Sequence, residues 1–130
     1  MPTPAAWQAA IQRNGFDVDL DVNFDPATHS GFLPARYRDR DAGFEFLLHD
    51  VVPGEMGSEE RIAAADGYDQ CVSLITHSDL AEAISATIGA GVLAELTGGL
   101  LWDDESGEGH PSQRAVEWAR ASEAETLRYL

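Results

Sequence analysis

Residues 15–25 read Gly15-Phe16-Asp17-Val18-Asp19-Leu20-Asp21-Val22-Asn23-Phe24-Asp25, and apolar and polar side chains alternate along the whole stretch. A period of two places alternate side chains on opposite faces of a strand, whereas a helix would scatter them around its axis. The stretch therefore predicts a strand from Phe16 to Phe24. Its apolar side chains would face the core, and its carboxylates would face solvent.

The segments around this strand supply further helices and strands. The predicted elements are a helix over 4–14, an irregular connection over 25–34 that includes Phe32-Leu33-Pro34, a hairpin of strands 36–41 and 44–49, a mobile acidic loop over 53–67 with one helical turn at 59–65, a buried strand over 68–76, a helix over 79–97, a brief edge strand over 100–102 and a helix over 111–129.

Capping residues mark the ends of two of these helices. Thr3 precedes Pro4 at the start of the first helix, and Asp79 with Glu82 matches a capping box at the start of the third. Gly89 and Gly91 interrupt that third helix, where each costs about 1 kcal/mol relative to alanine. We expect both to lie where the helix approaches the sheet closely.

Together these segments predict one α+β domain over residues 1–130. We expect an antiparallel sheet of about four to five strands with helices mainly on one face, in the order α-β-β-β-β-α-β-α. A chain of 130 residues, 44% of them hydrophobic, is large enough to fold without a disulfide or a metal.

Charge restricts the partners of this domain. The formal net charge is −15, which disfavours nucleic acid and anionic membranes and favours a basic protein. The single cysteine, Cys71, cannot form an internal disulfide, and we see neither a signal peptide nor a run of about 18 apolar residues. These features predict a cytoplasmic location.

The aspartate row admits two interpretations, a metal site or an acidic strand face. An EF-hand loop beginning at Asp17 would need glycine and glutamate where Val22 and Thr28 stand, so no metal site is predicted. An acidic face could remain solvated, bind a cationic partner, or pair across the sheet with Arg36, Arg38 and Arg40.

No group of residues has the spacing of a catalytic motif. His49 beside Asp50 and His77 near Asp79 could each pair a base with an acid, but neither has the context of a known motif. Cys71 lies among apolar residues and is interpreted as packing. The sequence predicts no cofactor and no enzyme activity.

A second acidic cluster follows a tryptophan. Trp102 precedes Asp103-Asp104-Glu105, and an aromatic side chain beside acids suits an interface with a basic protein. The predicted partner-binding residues are therefore Asp17, Asp19, Asp21, Trp102, Asp103, Asp104 and Glu105.

Several pieces of the chain resemble the small cytoplasmic α+β immunity proteins of bacterial polymorphic or contact-delivered toxin systems. They are the tryptophan-bearing first helix, Gly15-Phe16-Asp17, Gly31-Phe32-Leu33-Pro34, Gly43-Phe44-Glu45 and Ala94-Glu95-Leu96-Thr97-Gly98-Gly99. The resemblance implies a protein that neutralises one toxin by direct binding, without chemistry of its own.

Two alternatives stay open. One is a small hydrolase or metal-dependent enzyme that uses His49, His77 and neighbouring acids. The other is a structural module that forms a homodimer through the edge strand near residues 99–102.

Overall fold

Four α-helices and eight short strands make up the fold, and the computed structural model describes all 130 residues. In chain order the elements are α1 (Pro4–Arg13), β1 (Val18–Leu20), β2 (Gly31–Leu33), β3 (Ala35–Tyr37), β4 (Arg40–Asp41), β5 (Phe44–Asp50), a 3₁₀ turn (Pro53–Glu55), α2 (Glu59–Ala64), β6 (Gln70–Ile75), α3 (Leu80–Thr97), β7 (Leu100–Asp103), β8 (Glu108–Pro111) and α4 (Ser112–Leu127). The predicted α+β class is confirmed.

The strands form three small antiparallel sheets in place of the single sheet that was expected. Their orders are β1-β3-β4, β2-β5-β6 and β7-β8. The chain changes sheet at Pro34, which lies between β2 and β3 and has no N–H with which to extend a ladder. The irregular connection predicted for residues 32–34 is therefore wrong, because strands flank Pro34 on both sides.

The two segments predicted to pair as a hairpin belong to different sheets. Residues 36–41 fold back on themselves as β3 and β4, with Arg36 opposite Asp41, whereas β5 pairs with β2 and β6. Gly43 links β4 to β5, and a Cβ there would overlap the ring of Phe32. The link needs glycine because β2 packs directly over it.

The acid-faced strand is real but shorter than predicted. Phe16, Val18 and Leu20 are buried as expected, but the ladder ends at Leu20 and Val22 is 37% exposed. The Asp21 carboxylate accepts a hydrogen bond from the backbone N–H of Asn23 at 2.9 Å, which turns the chain out of the sheet. The strand predicted for residues 16–24 is thus confined to β1.

Helix α1 forms as its sequence predicts and covers β1. The Thr3 hydroxyl accepts a bond from Ala6 N at 3.1 Å, and the side chain of Gln8 binds β1 directly. Gln8 donates to Val18 O at 2.9 Å and accepts from Leu20 N at 2.7 Å. One amide side chain therefore satisfies the edge of β1 that faces away from β3.

Helix α3 is the centre of the core, and its two glycines allow close contacts on two sides. Its ends are capped as predicted, by Asp79, whose carboxylate accepts from Glu82 N at 3.0 Å, and by Gly98 at φ 71°. A Cβ at Gly89 would lie 3.2 Å from Trp7 in α1, and a Cβ at Gly91 would lie 2.7 Å from the Cβ of Ala119 in α4. The close approach is therefore to helices α1 and α4 more than to a sheet.

By length and composition alone α3 could cross a membrane. It has 18 residues with a mean hydropathy of 1.3, so the expectation that no segment of this kind occurs is wrong. Within the fold, however, α3 packs against α1, α4 and strands of all three sheets. Its apolar character is that of a central core helix.

The segment from residue 53 to residue 76 is more ordered and less buried than predicted. The expected loop over 53–67 contains a 3₁₀ turn and α2, whose start is capped by Ser58 accepting from Arg61 N at 3.1 Å. The strand predicted as buried is β6, an edge strand whose residues are half-buried or exposed. Val72 and Leu74 still pack against the core.

The C-terminal part follows the prediction with one addition. Strand β7 matches the expected brief strand, and α4 matches the expected last helix within a few residues. Strand β8, which sequence reasoning missed, pairs with β7 from Leu100 opposite Pro111 to Asp103 opposite Glu108. It carries glycine, histidine and proline, and so lacks the apolar alternation that marks a strand.

Candidate partner-binding cleft

A cleft of about 810 Å³ opens between β6, α2, α3 and β7. Hydrophobic residues make up 20 of the 31 that line it, and they come from segments far apart in the sequence. Val72 and Leu74 of β6 form one wall, Ala90 of α3 lies between the walls, and Met56 and Trp102 come from the opposite side. A cleft of this size and apolar character is typical of binding sites.

Unpaired strand edges border this cleft. Strand β6 is the last strand of its sheet, and β7 pairs with β8 alone, so each has an edge without a partner strand. Every residue from Tyr68 to Thr76 and from Gly99 to Glu105 lines the cleft. Backbone donors and acceptors of both strands therefore lie beside the same opening.

The second predicted acidic cluster lies at this opening. Trp102 Nε1 donates a hydrogen bond to the Asp104 carboxylate at 3.0 Å, and Arg61 of α2 lies 3.9 Å from that carboxylate. Asp103 holds the β7–β8 turn, because its carboxylate accepts from Glu105 N at 3.2 Å and from the Ser106 hydroxyl at 2.8 Å. The structure thus groups all four predicted residues, Trp102 to Glu105, which we call the acidic rim.

Negative charge dominates the cleft. Its charged lining residues are four acids, Asp69, Asp103, Asp104 and Glu105, and one base, Arg61. Asp104 and Glu105 are exposed, and the Arg61 side chain is 25% exposed. The one arginine is therefore partly withdrawn from solvent, whereas Asp69, Asp104 and Glu105 are exposed to solvent.

No family model, curated protein or solved structure matches this chain.

The first predicted acidic group lies elsewhere. Asp17, Asp19 and Asp21 are exposed on and beside β1, and none of them lines the cleft. Arg36 lies opposite Asp19 in the ladder as the sequence suggested, but its guanidinium contacts the Asp41 carboxylate at 3.4 Å and Asp39 O at 2.8 Å. The aspartate row therefore has no internal ion pair. The seven predicted residues fall into two groups on two different sheets.

The histidines of the alternative enzyme hypothesis lie on the outer face of the β5–β6 ribbon. His77 lies 3.4 Å from Glu45, and His49 Nε2 lies 3.0 Å from the Ser73 hydroxyl. Glu45 and His49 are four residues apart on β5, or about 13 Å at strand spacing. The two histidines therefore do not form one site.

The hydrogen-bond partners of His49 determine the tautomer of its neutral ring. Its Nδ1 lies 3.1 Å from Asp50 O, and a carbonyl oxygen can only accept a hydrogen bond. A neutral ring therefore donates from Nδ1 and accepts at Nε2 from the Ser73 hydroxyl. No group of three His, Cys, Asp or Glu side chains converges as metal ligands anywhere in the chain.

Sequence reasoning found the rim but missed the cleft behind it. The rim is a run of consecutive residues, whereas the cleft is assembled from α2, β6, α3 and β7. One usable signal was present: Ser58 followed by Glu59 and Glu60 is a helix start, and that helix brings Arg61 to the rim.

Proposed function

We propose that this protein is a non-catalytic binding protein that holds a basic protein partner at the cleft. The observation that carries the proposal is an apolar cleft whose charged lining is four acids against one arginine. The apolar walls would supply the binding energy, and the acids would select a cationic partner. Trp102 would serve as the aromatic anchor beside them.

The overall charge adds to this selectivity. At −15 the protein attracts a basic partner from a distance and repels a second copy of itself. Association with such a partner should be fast at low salt and slower as salt rises. A homodimer through the rim would bring eight rim and cleft carboxylates together, so it is the less favoured occupant.

A basic toxin domain is the partner that fits the sequence resemblance. In this proposal the protein acts in the bacterial cytoplasm as an immunity protein, and it neutralises one toxin by covering the toxin's active site or by holding an inactive form. Neither role requires a catalytic residue in the immunity protein itself.

Copurification with the product of the neighbouring reading frame tests the proposal. The informative variant is Asp104→Arg with Glu105→Arg, because it reverses the rim charge and leaves Asp103, which holds the turn. We expect the affinity at low salt to fall by about 10- to 100-fold. The matched control is Asp17→Arg with Asp19→Arg, which makes the same charge change on the other sheet.

Four outcomes are decisive for this test. A complex that weakens with salt and with the rim variant more than with the control supports the proposal. A complex indifferent to both variants, or one weakened by the β1 variant alone, contradicts it. Failure of the neighbouring product to bind at low salt also contradicts it.

A second candidate function rests on one contact. The Ser73 hydroxyl donates to His49 Nε2, which is the arrangement of a nucleophile beside its base. A hydrolase of this kind would label with a fluorophosphonate, and the Ser73→Ala variant would not. Equal labelling of the two proteins would reject this function.

A further inference from the structure

We propose that the cleft receives an extended segment of the basic partner as an additional strand, hydrogen bonded to the free edge of β6 and reaching toward β7. This inference rests on the proposed function and specifies its binding mode. It commits to one occupant, a segment in which apolar and basic residues alternate.

Half of the backbone N–H and C=O groups of β6 are not bonded to β5. In an antiparallel pair, every second residue directs its N–H and C=O toward the partner strand. Val51 N donates to Asp69 O at 2.8 Å, and this pair continues the register of β5 with β6. Odd-numbered residues of β6 therefore bond to β5. The N–H and C=O of Val72 and Leu74 point the other way, into the cleft.

The opposite border of the cleft is also a strand. Strand β7 offers its own unpaired edge, and its residues line the cleft from Leu100 to Asp103. Two edges of this kind beside one opening can share an inserted strand, which would join β2-β5-β6 and β7-β8 into a single sheet. Strand β6 has six residues, or about 20 Å, so an inserted strand of similar length would match it.

Helix α3 forms the floor of the cleft. Seven of its residues line the cleft, and five of them recur at helical spacing: Ala83, Thr87, Ala90, Ala94 and Thr97. The other two are Ala86 and Leu93, and Leu93 is the only long side chain among the seven, so the floor leaves room above the helix. The inward-facing side chains of an inserted strand, at every second position, would fill that room.

Charge decides what the outward-facing side chains would be. Asp69 lies at one end of β6, and Asp103, Asp104 and Glu105 lie at the end of β7. Arginine or lysine at the alternate positions of the inserted strand would reach these carboxylates. A second copy of this chain would present acids to acids and is disfavoured on the same ground.

The test uses a nine-residue peptide of alternating arginine and valine, acetylated and amidated at its ends. Amide hydrogen exchange of ¹⁵N-labelled protein is measured by NMR with and without the peptide. We expect exchange at the Val72 and Leu74 amides to slow at least about tenfold, because they gain acceptors. The amides of Cys71 and Ser73 already bond to β5 and serve as the internal control.

A pair of variants gives a second measurement. Val72→Pro removes the outward N–H without taking a bond from the β5–β6 ladder, a position where an edge strand tolerates proline. Val72→Ala loses side-chain packing but keeps the N–H. We expect the proline variant to bind the peptide about tenfold more weakly than the alanine variant, with circular dichroism reporting that both are folded.

Different outcomes test the inference and the proposed function separately. Salt-sensitive binding with protected Val72 and Leu74 amides supports the inference. Binding without that protection, or with equal affinity for the two Val72 variants, overturns the inserted strand and leaves a partner docked on the rim. No binding of the peptide at low salt also overturns the inserted strand, while copurification of the neighbouring product tests the proposed function independently.

Discussion

Replacing Gly91 by alanine sets two effects of opposite sign against each other. In an exposed helix the change would stabilise by about 1 kcal/mol, because alanine favours the helical backbone. Here the new Cβ would lie 2.7 Å from the Cβ of Ala119 and 2.8 Å from Ala115 O. Neither neighbour can rotate away, since one is a methyl group on the helix and the other is backbone.

The contact must therefore be relieved by moving α4 away from α3. Ordinary carbon contacts are about 3.5–4.0 Å, so the helices would separate by about 1 Å. Overpacking of this kind costs about 1–3 kcal/mol. Contacts of 2.7 and 2.8 Å to atoms that cannot rotate away lie in the upper part of that range, about 2–3 kcal/mol. After subtracting the gain of about 1 kcal/mol in helix propensity, we expect Gly91→Ala to lower the free energy of unfolding by about 1–2 kcal/mol.

Urea unfolding monitored by circular dichroism measures this change, and the melting temperature should fall by roughly 4 °C per kcal/mol. Gly54→Ala is the matched control, because a Cβ at Gly54 meets nothing within 4 Å. We expect the control to change stability by less than about 0.5 kcal/mol. A Gly91→Ala protein as stable as the wild type, or more stable, would refute the close α3–α4 packing.

Three further changes test the contacts that hold the elements together. Tyr37 is buried, and its hydroxyl donates a hydrogen bond to the Glu123 carboxylate at 2.7 Å. Burial is the largest cause, and the Glu123 carboxylate the next, of a rise in the pKa of Tyr37 to about 12. Tyr37→Phe should lower the free energy of unfolding by about 1 kcal/mol at pH 8. Because the unfolded tyrosine ionises near pH 10, the stability of the wild type should fall more steeply than that of the variant between pH 10 and 12. Parallel pH profiles of the two proteins would contradict this. Gln8→Ala leaves two backbone groups of β1 without partners and should cost about 1–2 kcal/mol in urea unfolding, whereas an unchanged midpoint would mean that water replaces the amide. Asp79→Ala should cost about 1 kcal/mol and Asp79→Ser much less, and equal losses would show that the cap does not stabilise α3.

Elements defined by local signals were predictable from the sequence. Helices α1 and α3 carry their own start signals in Thr3 and Asp79, and α3 ends at a glycine with positive φ. Such signals act over three or four residues and need no knowledge of distant partners. The same holds for the acidic rim, which is one continuous run.

Strand pairing was less predictable, because pairing joins residues far apart in the chain. Alternation continues through Val22 and Phe24, but Phe24 packs its ring 5.3 Å from that of Phe46 outside any strand. For Phe24 the alternation therefore predicted packing against the core correctly and strand structure incorrectly. For Val22, which is 37% exposed, it predicted both incorrectly. At Gly43 the sequence suggested a hairpin turn, whereas glycine is needed because a Cβ there would lie 2.7 Å from the backbone oxygen of Leu33 in another strand.

The cleft could not be predicted from the sequence either, because residues far apart in the chain form it. Its walls come from residues 48–76 and its other border from residues 99–105, so no sequence window contains both. Strand register alone does not decide which carboxylate an arginine contacts, because the side-chain rotamer also matters. Arg36 lies opposite Asp19 yet contacts Asp41.

The indole N–H of Trp102 reports most directly on whether the acidic rim binds the partner. Its proton is bonded to Asp104 at the rim, while the indole of Trp7 is bonded to Gly89 O inside the core. In ¹H–¹⁵N spectra of the protein titrated with the neighbouring reading-frame product, we expect the Trp102 resonance to shift and the Trp7 resonance to stay in place. A saturated complex in which the Trp102 resonance does not move would contradict the account.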